Sequence, residues 1–241
     1  MSQSPRTRTD RFPVRVVVAL LSGESLPDAS RCILSAVLYR EDGGGLDGLL
    51  GLPGAFRMTG EDLDDTARRA LKLVDVRRPR RIEQIGTIAD SEVVTVMYLA
   101  ALDRLPVTTS QSTSTALIPF TELAGSGRSN NPLQDPEAQI LNRAVEEVKA
   151  RLASTPLALS LVPPVFTFGQ LRSIYEDAWG KKLDHRNFRR KLLEGPRPFV
   201  KPVGAALSER GTKGRPPELY KATQAWDRAT PVRFPQRRNA R

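Results

Sequence analysis

Residues 166–193 (FTFGQLRSIYEDAWGKKLDHRNFRRKLL) constrain this chain more than any other stretch, because they specify two short helices and the turn between them. Thr167 stands where a helix N-cap belongs, and Gln170, three residues on, completes a capping box. Phe166 and Leu171 flank that start as a hydrophobic staple. Leu171, Ile174, Tyr175 and Ala178 recur at helical spacing up to Trp179, and Gly180 supplies the stop. The device then repeats. Asp184 is the next N-cap, Leu183 staples to Phe188, and Phe188, Leu192 and Leu193 face inward. Two capped helices across a turn of about four residues containing glycine predict a helix-turn-helix.

The outer face of the second helix carries the chemistry. With Phe188 and Leu192 inward, His185, Arg186, Asn187, Arg189 and Arg190 lie across the solvent side, and Lys191 borders it. A recognition helix sets its N-terminal half in the major groove, where Arg makes paired contacts to guanine. Lys181 and Lys182 in the turn are placed for phosphates, which position a protein without specifying sequence. Phe199–Val203 and Glu218–Ala222 read as two strands around a basic, glycine-rich tip. That predicts a wing, with Lys213 and Arg215 suited to phosphate or minor-groove contact.

Charge agrees with this reading. The net charge is +10, yet residues 156–241 hold 18 Lys+Arg against 7 Asp+Glu, while residues 1–155 hold 19 against 20. So uneven a distribution points to nucleic acid or another anionic surface. No apolar run approaches the roughly 20 residues that span a bilayer, so no membrane partner is expected. Cys32 is the only cysteine and His185 the only histidine. No Cys/His set exists for zinc, and a Ser-His-Asp or Cys-His site is not expected, because the one histidine lies in the predicted recognition helix. Cys32 lies in an apolar run and reads as a buried, inert thiol in a reducing, cytoplasmic setting.

The first half alternates strands with one clear helix. Arg15–Leu21, Cys32–Tyr39, Arg81–Ile88, Val93–Leu102 and Thr115–Phe120 read as strands, with a short Leu49–Phe56 strand broken at Pro53-Gly54. Asp62–Val74 carries Leu63, Ala67, Leu71 and Val74 at helical spacing. Gly125–Pro136 reads as a loop, and Glu137–Leu152 as a long amphipathic helix.

Residues 54–77 (GAFRMTGEDLDDTARRALKLVDVR) resemble a Nudix box, G-x5-E-x7-R-E-U-x-E-E-x-G-U, where U is a bulky aliphatic. Aligned on Glu61 and Arg69, the chain keeps that Glu, the Arg and Leu71, but Ala70, Leu73 and Val74 stand where three carboxylates belong. A pyrophosphohydrolase needs those carboxylates for Mg²⁺ and for activating water. The pattern therefore predicts a Nudix-like fold that binds without cleaving, with no catalytic residues and no metal site. Gly54, Phe56, Arg57, Glu61 and Arg69 are the candidate ligand-binding residues. Backbone N–H groups near Gly54 and the helix N-terminus can seat a phosphate. Arg69 reads equally well as a partner of that phosphate or as a structural residue tied to Glu61. The acidic group Glu61, Asp62, Asp64 and Asp65 reads as favourable charge at a helix start.

Taken together, LPGAFRMTGEDL (52–63), the 166–193 segment and GRPPELY (214–220) resemble the Nudix-related transcriptional regulators of the NrtR type. That resemblance implies an α+β chain, a Nudix-like α/β/α sandwich followed by a C-terminal winged helix-turn-helix. It divides the chain into a basic flexible N-terminus (1–13), an effector-binding domain ending in a linker helix (14–155), a winged helix (156–225) and a basic tail (226–241). It further implies a homodimer on an inverted-repeat, double-stranded DNA operator, usually as a repressor, and a nucleotide-like effector such as ADP-ribose. No cofactor is implied. Ala55 and Pro136 depart from the family pattern, which has Gly and His there. Two other readings remain: a nucleoside-diphosphate hydrolase with a nucleic-acid-binding accessory domain, and a nonspecific nucleic-acid binder.

Overall fold

The computed structural model describes residues 12–40, 50–90, 92–105, 114–125, 137–194, 198–205 and 217–223. The glycine-rich tract 41–48, the expected wing-tip residues Lys213 and Arg215, Pro136 and the C-terminal tail lie outside these residues.

β1 (Val14–Ser25) is apolar almost throughout because it is buried on both faces. It runs antiparallel to β2 (Cys32–Arg40) and to β4 (Gly54–Phe56), and parallel to β6 (Val94–Leu102). β5 (Arg81–Ala89) closes one side against β6. β3 (Leu50–Gly51) and β7 (Ser114–Pro119) pair with β2, completing a seven-stranded sheet. Asp90 accepts from the backbone N–H groups of Glu92 and Val93, which makes the β5–β6 turn.

Alternation along β1 sorts the two faces. Val16, Val18 and Leu20 pack with Ala67, Ala70, Leu71 and Val74, the apolar stripe of α1 (Leu63–Leu71) and of the 3-10 turn that extends it. Val17 and Leu21 face the opposite way, against α3 (Glu137–Ser154). Two sequence expectations change here. The strand expected to reach Phe120 stops at Pro119, which cannot donate to a ladder. α2 (Phe120–Gly125) follows, with Phe120 as its buried anchor. A 3-10 turn at Pro156–Ser160, which the sequence reading did not anticipate, follows α3; Thr155 caps it.

The C-terminal part comprises β8 (Phe166–Thr167), α4 (Phe168–Trp179), α5 (His185–Leu193), β9 (Val200–Ala205) and β10 (Glu218–Ala222). The three strands form a second sheet in the order β8-β10-β9. This part shares its core with the first. One apolar cluster runs from Val17, Leu34 and Met97 through Leu141 and Val148 to Ile174, Tyr175, Phe188 and Tyr220.

A polar seam lies beside that shared core. The ladder between β2 and β7 ends at Ser35 and Pro119, so β2 has no strand partner on that side at residues 32–34. Side chains of α4 fill the gap. Cys32 N donates to Ser173 Oγ at 2.8 Å, and Ser173 Oγ returns a bond to Cys32 O at 2.8 Å. Leu34 N donates to Asp177 Oδ2 at 3.1 Å, and Arg31 pairs with Asp177 Oδ1 at 2.6 Å. Around the β1–β2 turn, Gln170 donates to Ser25 Oγ and Thr167 donates to Ala29 O. Gly169 allows the approach, since a Cβ there would stand 2.1 Å from Ser30 O. Gly23 does the same on β1, where a Cβ would meet Leu161 O at 1.7 Å.

A shared core and a bonded seam predict one cooperative transition in scanning calorimetry rather than two. Asp177→Ala leaves the buried N–H of Leu34 without its acceptor and is expected to cost about 1–3 kcal/mol. At about 2–4 °C per kcal/mol for a chain of this size, the melting temperature should fall by roughly 2–12 °C.

Candidate nucleic-acid interface and candidate effector site

The helix-turn-helix is built by the residues that the spacing singled out. Thr167 Oγ1 accepts from Gln170 N at 3.1 Å and Gln170 Oε1 accepts from Thr167 N at 2.8 Å, a complete capping box. Gly180 ends α4 in the left-handed region, φ 62°. The turn is then held by Glu176, a buried carboxylate on α4 that sequence reasoning did not flag. Its Oε1 accepts from Leu183 N at 2.9 Å, its Oε2 pairs with Lys182 Nζ at 3.2 Å, and its backbone carbonyl accepts from Lys181 N. Asp184 caps α5 through Asn187 N at 2.8 Å. Phe188 is buried and meets the rings of Tyr175 and Phe168 edge-on, which fixes the rotation of α5.

That rotation leaves His185, Arg186, Asn187 and Arg190 exposed, with Lys181 and Lys182 exposed in the turn. Arg190 donates to Asn187 Oδ1 at 3.0 Å, so the two polar heads form one unit on the helix surface. Lys191 is half-buried, and burial, followed by the charge of Arg190, holds its ammonium below the usual range. Arg189 departs from the expectation that it lies free on the solvent side. Its Nη1 donates to Tyr220 Oη at 2.7 Å and its Nη2 to Glu218 Oε2 at 3.3 Å. A helical projection places Arg189 outward correctly, but it does not know that β10 passes over that side of α5.

In the first half, Phe56, Arg57, Glu61 and Arg69 come together at the start of α1. Arg69 donates through Nε and Nη2 to both carboxylate oxygens of Glu61, at 2.9 and 2.8 Å, and also to Phe56 O at 2.6 Å. Met58 N and Thr66 Oγ1 add two bonds to Glu61 Oε2. The bonds from Arg69, then that from Met58 N, hold the Glu61 carboxyl down to about 2. The tie of Arg69 to Glu61 is thus present in the structure. Arg57 Nε donates to Glu61 O at 2.6 Å, and Phe56 beside it is 57% exposed. Gly54 lies two residues back, paired with Val17 across β1, where an added Cβ would stand 3.3 Å from Val16 O.

These residues do not fit a divalent cation. Ala70 and Val74 are buried against the sheet, Leu73 is exposed, and none has an oxygen to offer. Glu61 is bonded on both oxygens. Asp62 caps Asp65 N, Asp64 accepts from Tyr98 Oη, and Asp65 pairs with Arg68. Among the described residues no group of three or more His, Cys, Asp or Glu is arranged to hold a metal ion.

A further clasp escaped the sequence reading. Arg15, directly across the ladder from Phe56, pairs with Glu137 at the start of α3, and Glu137 Oε2 accepts from Leu52 N at 2.9 Å. A lone Arg at the head of an apolar strand was the available signal.

Comparison with known proteins places this geometry. Residues 158–222 match the model of the NrtR DNA-binding winged helix domain. A curated relative from Acinetobacter baylyi, the ADPR responsive transcriptional repressor NtrR, is 36% identical over 55 residues. That alignment spans 23% of this chain and only 22% of the relative's length. The crystal structure of Shewanella oneidensis NrtR complexed with a 27mer DNA superposes with a TM-score of 0.66 at 20% identity, covering 91% of this chain and 98% of that one. A MutT/nudix family protein from Enterococcus faecalis superposes with a TM-score of 0.65 at 18% identity, over 91% of each chain. The chain therefore shares its fold, over 91% of its length, with these two proteins, and residues 158–222 match the winged helix model.

The Glu61 clamp predicts a defined acid sensitivity. A carboxyl held below its usual 4.5 in the folded chain stabilises fully above that value and loses its contribution as pH falls toward about 2. Melting curves of the parent and of Glu61→Gln should differ at pH 6 and converge between roughly pH 4.5 and 2.

Proposed function

Starting from a chain whose residues 158–222 belong to the NrtR winged helix family, and whose fold is that of the NrtR-type, Nudix-related regulators, we propose that it is a ligand-responsive DNA-binding transcriptional regulator. The observation that carries this is α5, a rigidly seated helix whose exposed side presents His185, Arg186, Asn187 and Arg190 beside the lysines of the turn. Arg186 and Arg190 read base edges, and Lys181 and Lys182 hold phosphates. The chain acts as a homodimer on an inverted repeat, with half-sites about one DNA turn apart.

The Nudix-like domain is the sensor and not an enzyme. Its clamp of Glu61 and Arg69 supports the box, while Phe56 and Arg57 offer an exposed ring and a guanidinium to a nucleotide-like ligand. ADP-ribose is the first candidate, since the Acinetobacter baylyi relative is named for responding to it. Repression with relief by the metabolite requires that the ligand favour the arrangement that does not fit DNA, because it shifts the equilibrium only by its differential affinity. No described helix is long and apolar enough to cross a membrane. The proposal places the protein in the cytoplasm with its operator.

A gel-shift titration on the DNA upstream of the protein's own gene tests the reading. Retardation is expected, with affinity falling by about 10³–10⁵ between roughly 50 and 200 mM salt if six to ten phosphates are contacted. Arg186→Ala should cost about 1–3 kcal/mol on the operator and relax preference at one base pair. ADP-ribose should release the complex. Absence of retardation at every salt concentration, or turnover of ADP-ribose in Mg²⁺ at about 1 s⁻¹ or more, would overturn it.

A further inference from the structure

Among the cations of α5, Arg189 is held by partners that lie on the wing. Nη1 donates to Tyr220 Oη at 2.7 Å and Nη2 to Glu218 Oε2 at 3.3 Å. Tyr220 Oη closes the triangle by donating to the same Glu218 oxygen. The guanidinium also lies 5.2 Å from the ring centre of Phe168 and 5.7 Å from that of Tyr220, within cation–π range. Phe168 opens α4, and its ring meets that of Tyr220 at 4.2 Å. A single side chain thus joins α5, β10 and the start of α4. Desolvation works against the Arg189 charge, yet Glu218 and Tyr220 together hold its pKa above the ordinary value.

An Arg that reads guanine must present two parallel N–H donors to O6 and N7. Here each Nη already donates to a wing group, and the Glu218 carboxylate beside them repels an approaching phosphate. We infer that Arg189 is a positioning residue which sets the angle between the recognition helix and the wing, and that base reading falls to the remaining polar residues of α5. The inference rests on the DNA-binding reading above. It assigns to Arg189 a role distinct from that of its neighbours Arg186 and Arg190, which the same helix face presents without a wing partner in this geometry.

The test uses the full chain and three single variants, Arg189→Met, Arg189→Lys and Tyr220→Phe, with the double variant Arg189→Met/Tyr220→Phe. Binding is measured on the operator and on a panel in which each base pair is changed in turn. Arg189→Met and Tyr220→Phe should each weaken binding by about tenfold, evenly across the panel, and the double variant should fall little further than either single. Lys keeps the charge and can still reach guanine, but it cannot make the two-pronged contact, so Arg189→Lys should not restore affinity. Loss of preference at one base pair in Arg189→Met, with Tyr220→Phe binding normally, would overturn the inference. If the parent chain retards no DNA, the functional reading has failed, and the strut is judged by thermal unfolding alone. Coupled losses of melting temperature in the same cycle then sustain it, and additive losses overturn it.

Discussion

The arrangement of the two halves depends on how the bare edge of β2 is satisfied. β7 ends at Pro119, so the backbone groups of Cys32 and Leu34 would face apolar surroundings with no ladder partner. A buried N–H left in that state costs about 1–3 kcal/mol. Ser173 and Asp177, lying along one side of α4, supply the missing partners from more than 140 residues away in sequence. The bonds are directional, and they sit beside an apolar cluster that is not. The cluster holds α4 against the sheet, and the polar seam fixes its register. Helix α5 is in turn held to α4 through Phe188 and through the Glu176 clasp on the turn. The orientation of the exposed polar face of α5 is thus set, step by step, by a strand edge of the seven-stranded sheet.

The degenerate box shows the same economy of means. Carboxylates at positions 70 and 74 would be buried charges without partners, which the core could hold only at high cost. Ala70 and Val74 instead lie in the apolar cluster that packs α1 and the turn after it against β1. The two residues that match the signature, Glu61 and Arg69, bond each other. They tie the start of α1 to the carbonyl of Phe56 and to the loop at Met58. In this geometry the pair acts as a structural clamp, and Phe56 and Arg57 beside it are exposed.

How much of this was legible depends on range. The capping box, the glycine stop at Gly180, the Asp184 cap and the β5–β6 turn are local, and the chain spells them within four or five residues. The general course of the five longer strands was legible for the same reason, since their apolar runs are bounded by turn-formers, whereas the one short strand expected at Leu49–Phe56 divides at Pro53 into β3 on β2 and β4 on β1. Long-range partnerships were not legible. Ser173, Glu176 and Asp177 look like the ordinary polar face of an amphipathic helix until β2 and the turn are placed against them. Arg189 looks like its neighbours until β10 passes over it. α2 went unseen because six residues carry too little periodicity to oppose the strand pattern before them. In each case the missing information was the identity of the neighbour across a tertiary contact, which no spacing within one element encodes.

β1 touches both halves, so on the proposed reading a signal between them would run along it. Its first turn of ladder carries Arg15, opposite Phe56 and paired with Glu137; its far end carries Ser25, which accepts from Gln170 at the start of α4. At about 3.3 Å per residue the strand spans roughly 40 Å, the separation over which coupling needs a continuous physical path. A strand buried on both faces resists bending, because its side chains are interlocked with two cores. A ligand settling beside Phe56 would therefore move this body as a unit more readily than it would flex it. In the proposed dimer, such a movement would displace one α5 relative to the other and leave each helix intact, so affinity for an operator of fixed half-site spacing would fall while contact to a single half-site survived.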